Sequence, residues 1–81
     1  MNWDNFIPAE FEYDEANDKL ADHGVTLEES VQCFNDYTVL RNKRFRDRWQ
    51  LHGRTDGGRK LKIIFQLKPK KIVRIITGWS I

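Results

Sequence analysis

The chain has 81 residues, of which 40% are hydrophobic and 32% are charged. This length predicts one domain, residues 1–81, with a single small core. The one cysteine, Cys33, excludes a disulfide within the chain, and no apolar run approaches membrane-spanning length. Met1 leads into acidic sequence without a signal-peptide pattern, so we expect a cytoplasmic protein in a reducing environment with no membrane partner.

The net charge of +2 conceals two oppositely charged halves. Residues 1–36 contain ten acidic residues and one basic residue, which gives −9. Residues 37–81 contain thirteen basic and two acidic residues, which gives +11. A polyanion that binds the basic half would explain this division, and so would mutual neutralisation of the two halves within one fold.

The acidic half predicts one strand followed by two short helices. Residues 10–13 alternate as in a half-buried strand. Asp14 is suited to cap a helix over residues 15–23, and Gly24 is suited to end it in the left-handed conformation. Thr26 and Glu29 have the spacing of a capping box, which predicts a second helix that ends near residues 35–36. The side chains expected on its inward face are Leu27, Val31 and Phe34, with Ser30 and Cys33 beside them.

The basic half predicts a run of antiparallel strands. Residues 37–40 have strand propensity, and residues 41–48 form a basic loop that is either solvated or follows a phosphate backbone. Two hairpins follow, with turns at residues 56–58 and 68–70. A three-residue first turn sets Leu51 opposite Ile63. The same logic at the second turn pairs Leu67 with Lys71, which sets Val73 opposite Phe65.

Alternation along these hairpins predicts two faces of different chemistry. One face is expected to be the core and carries Trp49, Leu51, Leu61, Ile63, Phe65, Val73 and Ile75. The other is basic around an apolar centre and carries Arg48, Gln50, His52, Arg54, Lys60, Lys62, Gln66 and Arg74, with Ile64, Ile72 and Ile76. The predicted fold is α+β, in the order β-α-α-β-β-β-β, with two short N-terminal helices on one face of a mainly antiparallel sheet. The basic face is left open.

The basic face suits phosphate chemistry better than any other chemistry that the sequence offers. His23, His52 and Cys33 lie too far apart for a metal-site pattern, and no cofactor motif is present, so we expect neither a metal nor a cofactor. RNA cleavage without a metal needs a base, an acid and cations around the charged phosphorane. In the predicted register, one phosphate is surrounded by His52, Arg54, Lys60, Lys62 and Arg74. Each of these side chains, like His23 at a helix end, also has an ordinary structural explanation.

Four stretches, in this order and spacing, resemble the BrnT-like toxins. They are Phe11-Glu12-Tyr13-Asp14, His23-Gly24-Val25-Thr26-Leu27-Glu28-Glu29, Gly53-Arg54-Thr55-Asp56-Gly57-Gly58-Arg59-Lys60-Leu61 and Val73-Arg74-Ile75-Ile76-Thr77. These toxins are small ribonucleases of type II toxin–antitoxin systems, with a fold related to the RelE toxins. The first predicted helix is shorter here than is usual. Where the family continues with Ser/Thr-Ala-Arg and a further helix, this sequence has Gly78-Trp79-Ser80-Ile81.

The resemblance implies a RelE-like fold and a metal-independent endoribonuclease that cleaves mRNA and is neutralised by a small DNA-binding antitoxin of the ribbon-helix-helix type. Its matched polar positions make His23, Arg54 and Arg74 the candidate catalytic residues. The candidate nucleic-acid-binding residues are Arg48, His52, Lys60 and Lys62. Two alternatives remain open: a non-catalytic relative that only binds nucleic acid or a protein, and a self-associating module. In the second alternative, a homodimer would bury Ile64, Ile72 and Trp79.

Overall fold

Five strands form one sheet in the computed structural model, which describes residue 3, residues 6–42 and residues 44–81. The strands are β1 (Glu10–Tyr13), β2 (Tyr37–Arg41), β3 (Trp49–Arg54), β4 (Lys60–Lys68) and β5 (Ile72–Ser80). They lie in the order β1-β5-β4-β3-β2, and neighbours are antiparallel except for β1, which runs parallel to β5. The predicted α+β class and element order are confirmed.

The segment between β1 and β2 is helical, but its first part differs from the prediction. Residues 15–23 form two 3-10 helices, Glu15–Asn17 and Ala21–His23, instead of one continuous helix. The Asp18 carboxylate between them accepts the Ala21 N–H and a short hydrogen bond from the Tyr13 hydroxyl. Such side-chain contacts compete with the helical backbone pattern and interrupt it. Gly24 ends the segment with a φ of 68°, as expected.

The second predicted helix is α1 (Leu27–Gln32), extended by a 3-10 helix, Cys33–Asn35. Its capping box is complete, because Thr26 accepts the Glu29 N–H and Glu29 accepts the Thr26 N–H. Ser30 and Cys33 are fully buried, whereas Leu27 is only half-buried. The innermost stripe of this helical segment therefore consists of small side chains, which lets its backbone lie close to β3.

The helical segment packs on one face of the sheet, called here the inner face. The predicted core side chains all lie there: Leu51, Leu61, Ile63, Phe65 and Val73 are 0% exposed, Ile75 is 2% exposed, and Trp49 is half-buried. Phe34 bridges the layers, with its ring 5.2 Å from Phe65 and 5.1 Å from Phe11, both edge to face. No helix among the described residues covers the opposite face, which is called the outer face.

The register of the first hairpin is as predicted. Leu51 pairs with Ile63 and Arg54 with Lys60, and the Thr55 N–H donates to the Arg59 carbonyl across the turn.

The predicted register of the second hairpin is wrong by two residues. Pro69–Lys71 forms the turn, with Lys70 and Lys71 at φ values of 64° and 60°, so that Lys68 pairs with Ile72 and Phe65 with Ile75. The shift does not change which side chains lie on which face, because a two-residue shift preserves the alternation.

A β-bulge changes the faces of the second half of β5. Phe65 pairs with Ile75, but Ile64 pairs with Thr77, so Ile76 is the extra residue. Beyond it, Gly78 turns to the inner face and Trp79 to the outer face, opposite Lys62. A Cβ at Gly78 would lie 2.6 Å from Ile63 Cδ1, so only glycine fits without displacing the core.

Candidate nucleic-acid interface

The cations of the outer face form two clusters at opposite ends of the sheet. The first, called the Arg54 cluster, comprises His52, Arg54, Lys60 and Lys62. The second, called the Arg74 cluster, comprises Arg48, Arg74 and Lys19. The two clusters are separated by a row of less polar side chains that crosses the sheet through Gln50, Ile64 and Thr77.

Strand pairing builds the Arg54 cluster. Arg54 lies opposite Lys60, and His52 lies opposite Lys62 in the next outward-facing row. His52, Arg54 and Lys60 line one groove, together with Thr38 of β2. The His52 Nε2 atom is buried and has no hydrogen-bond partner within the described structure. The groove is therefore lined by two exposed cations and by a half-buried imidazole whose Nε2 atom is buried and unpaired among the described residues.

Close packing on the inner face fixes the backbone that carries Arg54. A Cβ at Gly53 would lie 2.6 Å from both the Cβ and the carbonyl oxygen of Cys33. Glycine at this position lets the helical segment rest directly on β3. The Arg54 N–H then donates to the Asp36 carbonyl at 3.1 Å, where the chain leaves the helical segment for β2. The Gly-Arg pair thus combines a packing requirement with an outward-facing cation.

The Arg74 cluster lies at the other end of the face. Arg74 pairs with Gln66 on β4 and with Glu12 on β1, and it shares a groove with Arg48 and Lys19. The Arg48 guanidinium lies 4.7 Å from the centre of the Phe45 ring, and its Nε atom is buried without a partner among the described residues.

Neighbouring acids in this region are already engaged. Lys68 Nζ forms an ion pair with Glu12 Oε1 at 2.7 Å, and Gln66 Nε2 donates to Asp47 Oδ2 at 2.7 Å.

The distance between the clusters shows that they do not surround a single phosphate, as the predicted register had suggested. Along β4, Lys62 and Lys60 lie four and six residues from Gln66, the partner of Arg74. At about 3.3 Å per residue, these separations correspond to about 13 Å and about 20 Å. The structure therefore brings together His52, Arg54, Lys60 and Lys62, and it groups Arg74 with Arg48 elsewhere.

His23 occupies a third position. It ends the second 3-10 helix, and its ring centre lies 5.8 Å from that of Trp79. Lys62 Nζ approaches the same Trp79 ring at 5.7 Å. His23 is thus connected to the Arg54 cluster through Trp79 and not to the Arg74 cluster. The sequence grouped Trp79 with Ile64 and Ile72 as an apolar contact but did not place it beside Lys62, because no sequence signal marked the bulge.

Arg59, within the Gly-Arg stretch, is engaged in the fold. Its Nη1 atom donates to the Gly24 carbonyl at 2.9 Å and lies 3.2 Å from Glu29 Oε2, and its Nε atom donates to Ser80 Oγ. Hydrogen bonds from the Thr26 backbone and from Arg59 keep the pKa of the Glu29 carboxyl below its usual value. Arg59 therefore joins three segments of the chain, whereas the neighbouring Lys60 has no such contact among the described residues.

Cys33 has the character of a packing residue. It is 0% exposed, and burial, with a smaller contribution from Glu29, raises the pKa of its thiol to about 11. The thiol is therefore protonated at neutral pH and is a poor nucleophile.

The described residues give two further results about binding chemistry. His, Cys, Asp and Glu side chains do not gather there in a group of three that would hold a metal ion. No helix in the same part of the chain is both long and apolar enough to cross a membrane.

Comparison with known proteins identifies a structural relative. The fold is similar to the 1.1 Å crystal structure of the ribonuclease toxin BrnT of Brucella abortus, with a TM-score of 0.75. The match covers 89% of this chain and 95% of that chain, at 21% sequence identity. No protein-family model matches the chain, and no curated protein matches its sequence. The expected BrnT-like fold is thereby confirmed.

Proposed function

We propose that this chain is an endoribonuclease toxin of a type II toxin–antitoxin system, which cleaves mRNA in the cytoplasm without a metal ion. The observation that carries this proposal is an open cationic sheet face on a fold that is similar to that of a ribonuclease toxin. Arginine, lysine and imidazole are the groups that bind phosphate and stabilise its charged transition states.

In this mechanism, the Arg54 cluster holds the reacting phosphate. The 2′-oxygen attacks the adjacent phosphorus, and the bond to the 5′-oxygen breaks. The products are a 2′,3′-cyclic phosphate and a 5′-hydroxyl end. Arg54 and Lys60 stabilise the negative charge that develops on the phosphorane oxygens. A base takes the 2′-hydroxyl proton and an acid protonates the leaving oxygen, and His52 and His23 are the imidazoles available for these two transfers.

The Arg74 cluster binds a different part of the same RNA strand. At about 3.3 Å per residue of β4, about 20 Å separates the Arg54–Lys60 pair from the Arg74 row, so the strand must extend over several nucleotides to reach both. Arg48 and Arg74 then contact backbone phosphates, which positions the RNA without reading its sequence. The half-buried Trp79 ring offers surface to a base of the bound strand.

A non-catalytic binding relative is the second candidate function. The separation of Arg54, Arg74 and His23 favours it, because the residues expected to act together occupy three positions. An antitoxin of the ribbon-helix-helix type is proposed as the protein partner under either function. A homodimer is less well supported, because Ile64 is only 6% exposed within the monomer and adds little to an apolar contact.

The test is cleavage of a single-stranded RNA by purified protein in the presence of a metal chelator. We expect fragments with 2′,3′-cyclic phosphate and 5′-hydroxyl ends. Binding is measured in parallel with an RNA whose 2′-hydroxyls are methylated, since it retains the phosphates but cannot undergo the attack. Intact RNA at high enzyme excess, with binding retained, would establish the binding relative instead. Cleavage that stops in chelator and returns on addition of a divalent metal would disprove the metal-free mechanism.

A further inference from the structure

Strand β2 forms a border of the sheet and pairs on one side only. Its partner is β3, and no other strand in the described structure lies along its second side. An unpaired strand edge is a template for another chain unless charges, proline or a bulge protects it. The sequence of β2, Tyr37-Thr38-Val39-Leu40-Arg41, has one charge, at its end, and no proline.

Hydrogen bonding at the end of β2 determines which backbone groups face outward. The Arg54 N–H donates to the Asp36 carbonyl at 3.1 Å. Bonded pairs alternate along antiparallel strands, so the even-numbered residues of β2 direct their N–H and C=O groups towards β3. Val39 and Arg41 therefore direct theirs to the open side. An additional β-strand could form the usual inter-strand hydrogen bonds with these donors and acceptors.

An exposed groove lies beside this edge. Leu40 is 50% exposed and lines it, together with Arg41, Arg44 and Arg46. The ion pairs within the described residues involve Arg59 and Lys68, and none involves these three arginines. The groove thus combines an apolar side chain with guanidinium groups that lack an acidic partner.

We infer that the open edge of β2 binds an extended acidic segment of a partner protein as an additional strand. Backbone bonds would form at Val39 and Arg41, an apolar side chain would contact Leu40, and carboxylates would pair with Arg44 and Arg46. Backbone bonds supply affinity in this mode of recognition, and the side-chain contacts supply specificity. This inference does not depend on ribonuclease activity, since the edge lies outside both cationic clusters.

The unpaired backbone groups of β2 distinguish an acidic peptide from the other molecules that could bind at this edge. An RNA strand would satisfy the arginines but has no peptide ladder to offer at Val39. A second copy of this chain that paired through its own β2 would offer a ladder, but no carboxylate to pair with Arg44 and Arg46. An acidic peptide satisfies both features.

Three synthetic peptides of equal length test the inference. The first alternates valine with glutamate, the second alternates valine with lysine, and the third is the acidic peptide with methylated backbone nitrogens at every second residue. Affinity is measured by calorimetry, and amide hydrogen exchange by NMR. We expect the first peptide to bind more tightly than the other two and to slow exchange at Val39 and Arg41. Backbone methylation should weaken binding by about tenfold or more, because it removes ladder donors without changing charge.

Two variants of the protein provide matched controls. Val39→Pro removes an outward N–H, and proline is tolerated where the N–H of an edge strand faces solvent, so binding should fall while the fold persists. If a thermal melt shows that this variant is unfolded, the double variant Arg44→Glu/Arg46→Glu, located in the loop, replaces it. Its expected effect is weaker binding of the acidic peptide and stronger binding of the lysine peptide.

Three outcomes would overturn the inference. One is equal affinity for the acidic and lysine peptides, and another is equal affinity for the methylated and unmethylated acidic peptides. The third is slowed exchange at Val39 without peptide, in a dimer detected by sedimentation and abolished by Val39→Pro. That result would assign the edge to a second copy of the chain. Failure of RNA cleavage leaves all three measurements interpretable.

Discussion

The two faces of this sheet are made from the same strands, yet they impose opposite demands on their side chains. On the inner face, Ile63 and Phe65 are completely buried under the helical segment. On the outer face, their neighbour Lys62 is half-buried, and Arg54 and Lys60 are exposed. An inner side chain contributes to stability through how well its shape packs. An outer side chain contributes to ligand binding through its charge and its exposure to solvent. Substitutions on the two faces should therefore affect different measurements.

The largest expected effect is on the stability of the inner face. Ile63→Ala removes buried methyl groups and leaves a cavity, which should lower the free energy of unfolding by about 2–4 kcal/mol. Lys62→Ala is the matched control, because it is the adjacent residue of β4 and faces outward; it should change stability by less than about 0.5 kcal/mol. Denaturant melts measure both. Equal decreases in the free energy of unfolding for the two variants would contradict the assignment of Ile63 to the core and Lys62 to the surface.

The next largest effect is on the RNA cleavage that we propose for the outer face. Arg54→Ala should reduce cleavage by about 10²-fold or more, because a cation placed at the phosphorane acts mainly in the transition state. Lys60→Ala and Arg48→Ala should weaken RNA binding with little change in turnover. Single-turnover cleavage and equilibrium binding separate these effects, on variants whose melting temperatures match the wild type. If Arg54→Ala and Lys60→Ala behave alike in both assays, Arg54 has no specific catalytic role and only contributes charge to the surface.

Salt should weaken RNA binding by the outer face. With four to six phosphate contacts and a slope of about −0.7 per contact, affinity should fall by about 10²-fold between 50 and 200 mM salt. Arg74→Gln should reduce the slope by about 0.7. Lys70→Gln, in the turn at Pro69–Lys71, should leave it unchanged. An affinity that is flat over this range would contradict an interface made of phosphate contacts.

The smallest effect concerns the cap of α1, at the periphery of the inner layer. Thr26→Ala should lower the free energy of unfolding by about 1 kcal/mol, because it leaves a helix N–H without its acceptor.

Glu29, the other residue of this cap, makes the stability depend on pH. Its pKa is lowered on folding, so its contribution is complete above the unfolded pKa and is lost as pH falls through the folded one. Denaturant melts at pH values from 7 to 2 measure this dependence. The free energy of unfolding should decrease less with falling pH in Glu29→Gln than in Glu28→Gln, because Glu28→Gln retains the Glu29 carboxylate.

Sequence periodicity predicted the inner face well, because burial requires every second residue of β3 and β4 to be apolar. It predicted the first hairpin register for the same reason, since a one-residue slip would have exposed Leu51 and Ile63. The second register was not predictable in this way, because a two-residue shift preserves the alternation. The left-handed conformations of Lys70 and Lys71, residues without a preference for them, set that turn.

The candidate site was predictable in composition and less so in arrangement. The charges of Arg54, Lys60 and Arg74 are evident from the sequence, and so is the face on which they lie. Their distances depend on the second register, and the position of Trp79 depends on the extra residue at Ile76. Neither feature has a sequence signal here. The separation into two clusters, and the position of Trp79 beside Lys62, became apparent only in three dimensions.

The parallel pairing of β1 with β5 has a consequence for how the molecule folds. Glu10 is paired with Ile72, 62 residues later in the chain, whereas the β3–β4 hairpin closes over a three-residue turn. Loop closure over so long a segment is entropically costly until the intervening strands have formed, so β1 should join the sheet last. On a ribosome, β1 leaves the exit tunnel before the other four strands and must wait until β5 has followed. The acidic segment that contains β1 therefore joins the sheet after the basic hairpins have formed.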